Sequence, residues 1–173
     1  SLYSEFPSTN TGLDQILESS TYFKLGTPYT SRYLIEFSTT EIQNIFTDKV
    51  GASSYDVYLR NYSALVTSLN TDSTLEVKTI SGSWDMGTGK LGYIPAVENG
   101  CSWVWRSYSG SNAWVSTGSD SYVNPVYSQS FSYGSTTDIN VDVTPSILSW
   151  HSGSIPNDGF LIKQPDAVEF VQN

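Results

Sequence analysis

Cysteine and histidine each occur once in this chain, as Cys101 and His151. A single cysteine excludes an intrachain disulfide. One His and one Cys also leave a zinc site without its usual ligands. A Ser/His/Asp triad would have to rest on His151, with no nucleophile-elbow sequence to carry the serine. His151 instead follows Trp150 at an expected helix end, where the helix dipole favours a cation. Charge is scarce as well: charged residues are 14% of the chain, with 17 acids against 8 bases and a net charge of −9. There is no basic run, and phosphate repulsion sets nucleic acid aside. No apolar stretch approaches the length of a bilayer span, and the first residues lack the basic and apolar regions of a signal peptide, so no membrane is expected.

What the chain does have is aromatic and β-forming residues. Aromatics equal the charged residues at 14%, with 12 Tyr and 5 Trp, and this composition reads as all-β. A length of 173 residues fits one domain able to bury a core without staples. Residues 1–12 read as an N-terminal arm or edge segment leading into a strand at 13–17. A second short strand at 21–24 precedes a Gly26-Thr27-Pro28 turn. Tyr33, Ile35 and Phe37 then alternate with Arg32, Leu34 and Glu36. Ser38 and Glu41 have capping-box spacing before Ile42, Ile45 and Phe46, which predicts a short helix over 40–48, ending near Gly51. Alternation at 55–60 and 75–78 predicts two strands joined by a polar connection. Residues 82–134, rich in Ser, Gly, Asn and aromatics, are expected to form long loops, with strands only near Trp103 to Trp105 and at Trp114 and Val115. Within them Trp84 anchors a turn that Gly87 and Gly89 make feasible.

The stretch 141–163, VDVTPSILSWHSGSIPNDGFLIK, is the most legible. Asp138, Asn140 and Asp142 alternate with aliphatics on a strand with its acids toward solvent. Thr144 caps the following helix with its hydroxyl, and Pro145 takes the first helical position. Val143 and Leu148 form a staple, while Ile147 and Trp150 share the buried face of a helix over 145–151 that closes one end of the core. Gly153 ends it in a left-handed turn. Asn157 to Gly159 turn the chain into the strand FLIK.

This order resembles the DNRLRE-type domains, jelly rolls related to carbohydrate-binding modules that occur in bacterial surface proteins and tailed-phage virion proteins. PSTNTG (7–12) is similar to that family's opening Asn-x-Gly segment. Arg32, Leu34 and Phe37 in SRYLIEF match its Arg-x-Leu-x-x-Phe strand. The eponymous hexad is missing, and 82–133 has no counterpart. SGSWDMGTG (81–89) and IPNDGFLIK (155–163) look most like virion structural proteins of phages, particularly those of marine bacteria. The resemblance implies an antiparallel two-sheet jelly-roll sandwich with two short helices and long loops. Arg32, Phe37, Thr144, Pro145, Trp150 and Gly159 are its expected structural residues.

Trp103 and Trp105 would share a strand face, with Tyr108 and Trp114 near in sequence. Such aromatics either stack on sugar rings or roof a sheet or subunit contact, and the second reading is preferred. Related carbohydrate-binding jelly rolls hold a structural calcium, for which Asp138, Asn140 and Asp142 supply oxygens, although strand side chains seldom converge enough to bind it. No other cofactor is expected. The expected function is a non-enzymatic phage virion protein, a decoration, neck or tail-appendage component in symmetric copies, contacting other virion subunits through its loops and arm. The rival is a carbohydrate-binding module that binds a glycan on Trp103 and Trp105.

Overall fold

The computed structural model describes residues 1–51, 53–64, 71–135 and 138–170. In chain order the described elements are β1 (Leu2–Tyr3), β2 (Ser20–Lys24), β3 (Thr27–Ile35), α1 (Thr39–Ile45), β4 (Tyr58–Asn61), β5 (Ser73–Ile80), β6 (Trp105–Ser107), β7 (Asn112–Ala113), β8 (Ser121–Phe131), β9 (Ile139–Asp142), α2 (Thr144–His151) and β10 (Phe160–Lys163). The protein is therefore mostly β with two short helices. The main sheet has six strands in the order β1-β3-β10-β5-β8, with β2 also paired to β3. Its pairs are antiparallel, as are the two small sheets, β4 with β9 and β6 with β7.

Alternation along the main strands feeds two separate cores, because successive side chains point to opposite faces. Tyr33, Val77, Phe160 and Ile162 face one core, which β4, β9 and the helices cover with Leu59, Ile139, Val141, Val143, Ile147 and Trp150. Leu34, Ile80 and Leu161 face the other, roofed by Leu2, Cys101, Trp103 and Trp114. All four residues of β10 are consequently buried. The unbroken run FLIK is thus the signature of a strand covered on both sides.

Local capping held where it was shortest in range. The Ser38 hydroxyl accepts from the Glu41 amide, and α1 runs on through a π-helical turn (Phe46–Val50) to Gly51 at φ 57°. Trp150 and Ile147 are buried together, and Gly153 ends α2 at φ 73°. Gly159, at φ 86°, lets β10 approach β3: a Cβ there would lie 2.2 Å from the Ile35 carbonyl oxygen.

Several expectations need correction. Residues 13–17 form turns and bends, not a strand. The β2–β3 hairpin turns at Leu25 and Gly26, both at positive φ, so Thr27 and Pro28 already belong to β3. Thr144 does not cap α2; its hydroxyl accepts from the Val57 amide at 2.7 Å, while Asp142 accepts from the Thr144 amide at 2.9 Å. Pro145 does stand in the first turn. The staple is not made, because Val143 goes into the core and Leu148 turns out, 44% exposed. Phe37 lies beyond the end of β3, half exposed, its ring packed edge-on to Phe160 with centroids 6.5 Å apart. The expected loop region contains the longest described strand, β8, at the edge of the sheet. Pro125 obscures its alternation, and an edge strand tolerates proline because one side needs no donor. Much of the connection between β4 and β5 lies outside the described residues.

Of the arm and edge-segment readings of residues 1–12, the second fits, since β1 stands at an edge of the main sheet. Leu2 and Tyr3 are buried and pair with Arg32 and Ser31. Asn10 and Thr11 are fully buried a few residues on.

Candidate functional site

Asn10 organises the loops on the second face of the sheet. Its Nδ2 donates to the carbonyls of Met86 and Cys101, each at 2.8 Å, and its Oδ1 accepts from the amides of Gly89 at 2.7 Å and Gly12 at 3.3 Å. One side chain thus uses both donors and both acceptor sites of its amide. The glycines around it are there for space. A Cβ on Gly12 would sit 1.9 Å from the Met86 oxygen, one on Gly89 2.1 Å from the Asn10 oxygen, and one on Gly100 2.5 Å from the Gly87 Cα. Trp84 anchors the same loop through its indole N–H to the Asp158 carbonyl at 2.9 Å.

The clamped loops hold apolar side chains toward solvent. The Leu13 amide donates to the Gly89 carbonyl and the Leu91 amide to Asp14, so segments 12–17 and 86–94 are tied together. Leu13, Ile16, Leu17, Met86, Leu91, Tyr93 and Ile94 are all exposed, Ile94 almost completely at 97%. Between these segments and the end of β3 runs a groove of about 430 Å³ whose apolar wall includes Leu17, Leu34, Phe37, Trp84 and Met86. Glu36 lies in its wall, its carboxyl raised by burial and by nearby Asp158. Exposed apolar surface concentrated in this way marks a contact site more often than scattered single residues do.

The four aromatic candidates separate. Trp103 lies in a bend before β6 and does not share a strand face with Trp105. Trp103 and Trp114 are buried in the second core, and the Trp114 indole donates to the Ser102 carbonyl at 3.0 Å. The Gly118 N–H donates to the Trp103 carbonyl, and the Arg32 guanidinium lies 4.9 Å from the Trp103 ring. Trp105 and Tyr108 reach the surface, but their rings meet at 90° with centroids 5.7 Å apart. Perpendicular rings make no flat platform for a sugar.

Arg32 is structural in a way no local pattern revealed. It grips Glu169 in a bidentate pair at 2.9 and 2.5 Å and donates to the Gly118 carbonyl at 2.9 Å. Lys163, the last residue of β10, reaches the same carboxylate at 3.2 Å and Asp166 at 2.5 Å. Glu169 was missed in the sequence because its partner Arg32 lies 137 positions away.

The calcium candidates do not converge on a common point. Asp138 accepts from the Ser63 amide, Asn140 from Arg60 Nε and Asp142 from the Thr144 amide, each a different local partner. Among the described residues no group of three or more His, Cys, Asp or Glu is gathered as a metal site. His151 stacks on Phe46 at 4.2 Å, and its Nδ1 has no hydrogen-bond partner. Burial pushes the Cys101 thiol up to about 12, which leaves it inert as a nucleophile at neutral pH. No described helix is long and apolar enough to cross a membrane. No protein-family model, curated protein or solved structure matches this chain.

Proposed function

We propose that this chain is a non-enzymatic structural protein of a phage virion, a decoration, neck or tail-appendage component that docks on neighbouring subunits in symmetric copies. The observation that carries the reading is the apolar groove and its rim, held open by loops that Asn10 clamps in place. A surface prepared in this way loses little conformational entropy on docking. The segments resembling DNRLRE-type domains, 7–12, 31–37 and 155–163, supply the clamp residue Asn10, the groove residues Leu34 and Phe37, and the strand β10 paired beside β3. The same resemblance supports a jelly-roll sandwich, in which β4 and β9 form a reduced second sheet facing the main sheet across the first core. A non-enzymatic role is supported by the isolation of His151 on Phe46 and the burial of Cys101. The carbohydrate-binding alternative, with Trp103 and Trp105 as its platform, is weakened by the burial of Trp103 and by the perpendicular packing of Tyr108 on Trp105.

Mass spectrometry of purified particles should find the chain at a fixed stoichiometry to the other virion subunits. Ile94→Asp and Leu17→Asp should keep the parent melting temperature and fail to incorporate. Absence from particles, or normal incorporation of both variants, would overturn the proposal.

A further inference from the structure

Four of the eight basic residues of this acidic chain line a single cleft of about 720 Å³: Arg32, Lys78, Arg106 and Lys163. The cleft lies on the same second face of the main sheet as the groove and shares no lining residue with it. Its floor is β3, β10 and β5, with Leu161 directly opposite Lys78 in register. Residues 113–121 and Arg106 of β6 form its upper wall.

The carboxylates at this cleft already have partners. Glu169 and Asp166 serve Arg32 and Lys163, and Asp120 accepts from the amides of Val115 and Ser116 at 2.8 and 2.7 Å. Lys78 and Arg106 are half-buried, and among the described residues neither has a carboxylate within ion-pair distance. Asp158 and Asp166 feel their charge only at longer range. Half-buried cations without counter-ions are uncommon in a chain with more than twice as many acids as bases, since burial penalises an unpaired charge. An incoming oxyanion would relieve that penalty, and Arg106 offers a planar fork suited to it. Ser81, Ser116, Thr117, Ser119 and Ser121 also line the cleft, the Ser119 hydroxyl donating to the Asp120 carbonyl at 3.2 Å. Short hydroxyls are donors and acceptors at once and match a ligand that is itself polyhydroxylated.

We propose that this cleft binds an acidic saccharide, with a carboxylate or sulfate of the sugar seated between Lys78 and Arg106 and its hydroxyls on the Ser/Thr wall. The site is separate from the subunit-docking groove, and the inference stands whether or not that groove works as proposed.

The test is calorimetric titration of the purified chain with oligogalacturonate, a sulfated galactan oligosaccharide, neutral maltohexaose, inorganic sulfate and a short polyglutamate peptide. One or both acidic oligosaccharides should bind with affinity that falls as salt rises, and maltohexaose should not. Lys78→Ala and Arg106→Ala should each weaken binding about tenfold or more, the loss of one charge-assisted contact, and retain the parent melting temperature. Lys78→Arg should recover most of the binding. Four results would overturn the proposal: no binding of either acidic oligosaccharide, equal binding of maltohexaose, sulfate alone binding as tightly as the oligosaccharide, or polyglutamate binding as tightly, which would make this a protein contact. Loss of binding only together with loss of fold in both alanine variants, without recovery in Lys78→Arg, would also count against it.

Discussion

Replacing Asn10 with Ala should unfold the second face of this protein while leaving the first face closer to native. The side chain is fully buried and makes four hydrogen bonds to backbone groups. Two of these, to the Cys101 carbonyl and from the Gly89 amide, are buried at both ends. Leaving their partners unsatisfied costs about 1–3 kcal/mol each, and the two part-buried bonds add about 0.5–1.5 each. Water entering the small space vacated by the amide recovers some of this. The expected loss is therefore about 3–5 kcal/mol, a large share of the roughly 5–15 kcal/mol that holds a domain together. Urea unfolding followed by Trp fluorescence reads this loss, and hydrogen exchange reads its location. Amides of 86–101 should lose protection before those of β9 and α2, because the bonds removed all belong to the loop layer. Asn10→Asp separates hydrogen bonding from volume: it keeps the shape but replaces two donors by acceptors facing carbonyls, so it should be no better than Ala at neutral pH. An Asn10→Ala protein within about 1 kcal/mol of the parent would refute the clamp, since ordinary surface substitutions fall within about half that.

Trp150 is buried against Phe160, with ring centroids 4.7 Å apart, and its indole N–H has no hydrogen-bond partner. Its contribution is packing, so Trp150→Ala should cost about 3–5 kcal/mol in equilibrium unfolding, and a melt within a few degrees of the parent would argue against it. Glu169→Ala leaves Arg32 without a carboxylate and Lys163 with Asp166 alone. Breaking a buried pair by removing one partner costs about 3–5 kcal/mol, and a stability loss below about 1 kcal/mol would contradict the assigned burial. The Lys163 hydrogen bond holds the Asp166 carboxyl below the ordinary aspartate value of 3.8. A lowered folded-state pKa gives stability that is whole above 3.8 and lost as pH falls through the lowered value. Asp166→Asn should thus melt slightly below the parent near neutral pH and converge with it as pH falls below the lowered value; the shift is small because the carboxylate is mostly exposed and screened. A difference that stays constant with pH would point to a packing effect.

Sequence alone determined the features whose physics spans about one helical turn or one strand. Ser38 caps α1 because the Glu41 amide its hydroxyl accepts from lies three positions on. The aliphatics of β9 alternate with its polar residues, and Ile147 and Trp150 share a face because helical geometry brings neighbours three apart together. FLIK was legible as a strand, but its burial on both sides was not, since that depends on what the other two layers bring to it.

Only the tertiary structure decided the rest. The Asn10 clamp spans 76 to 91 positions and grips backbone carbonyls and an amide. Every residue carries such groups, so its partners left no trace in composition beyond the glycines that make room. Thr144 faced two acceptable uses for its hydroxyl, and the nearby Val57 amide took it, while Asp142 accepts from the Thr144 amide and no side chain caps α2. Trp103, Trp114 and Trp105 have the same chemistry in sequence, and only the path of the loop buried two of them and left the third at the surface. The gathering of Arg32, Lys78 and Lys163 into one cleft follows from strand order, because β3, β10 and β5 are neighbours in the sheet and far apart along the chain, and Arg106 joins them from β6 in the loop layer. Charge and aromatic content were set by the sequence, but their convergence depended on which faces the sheet turned toward each other.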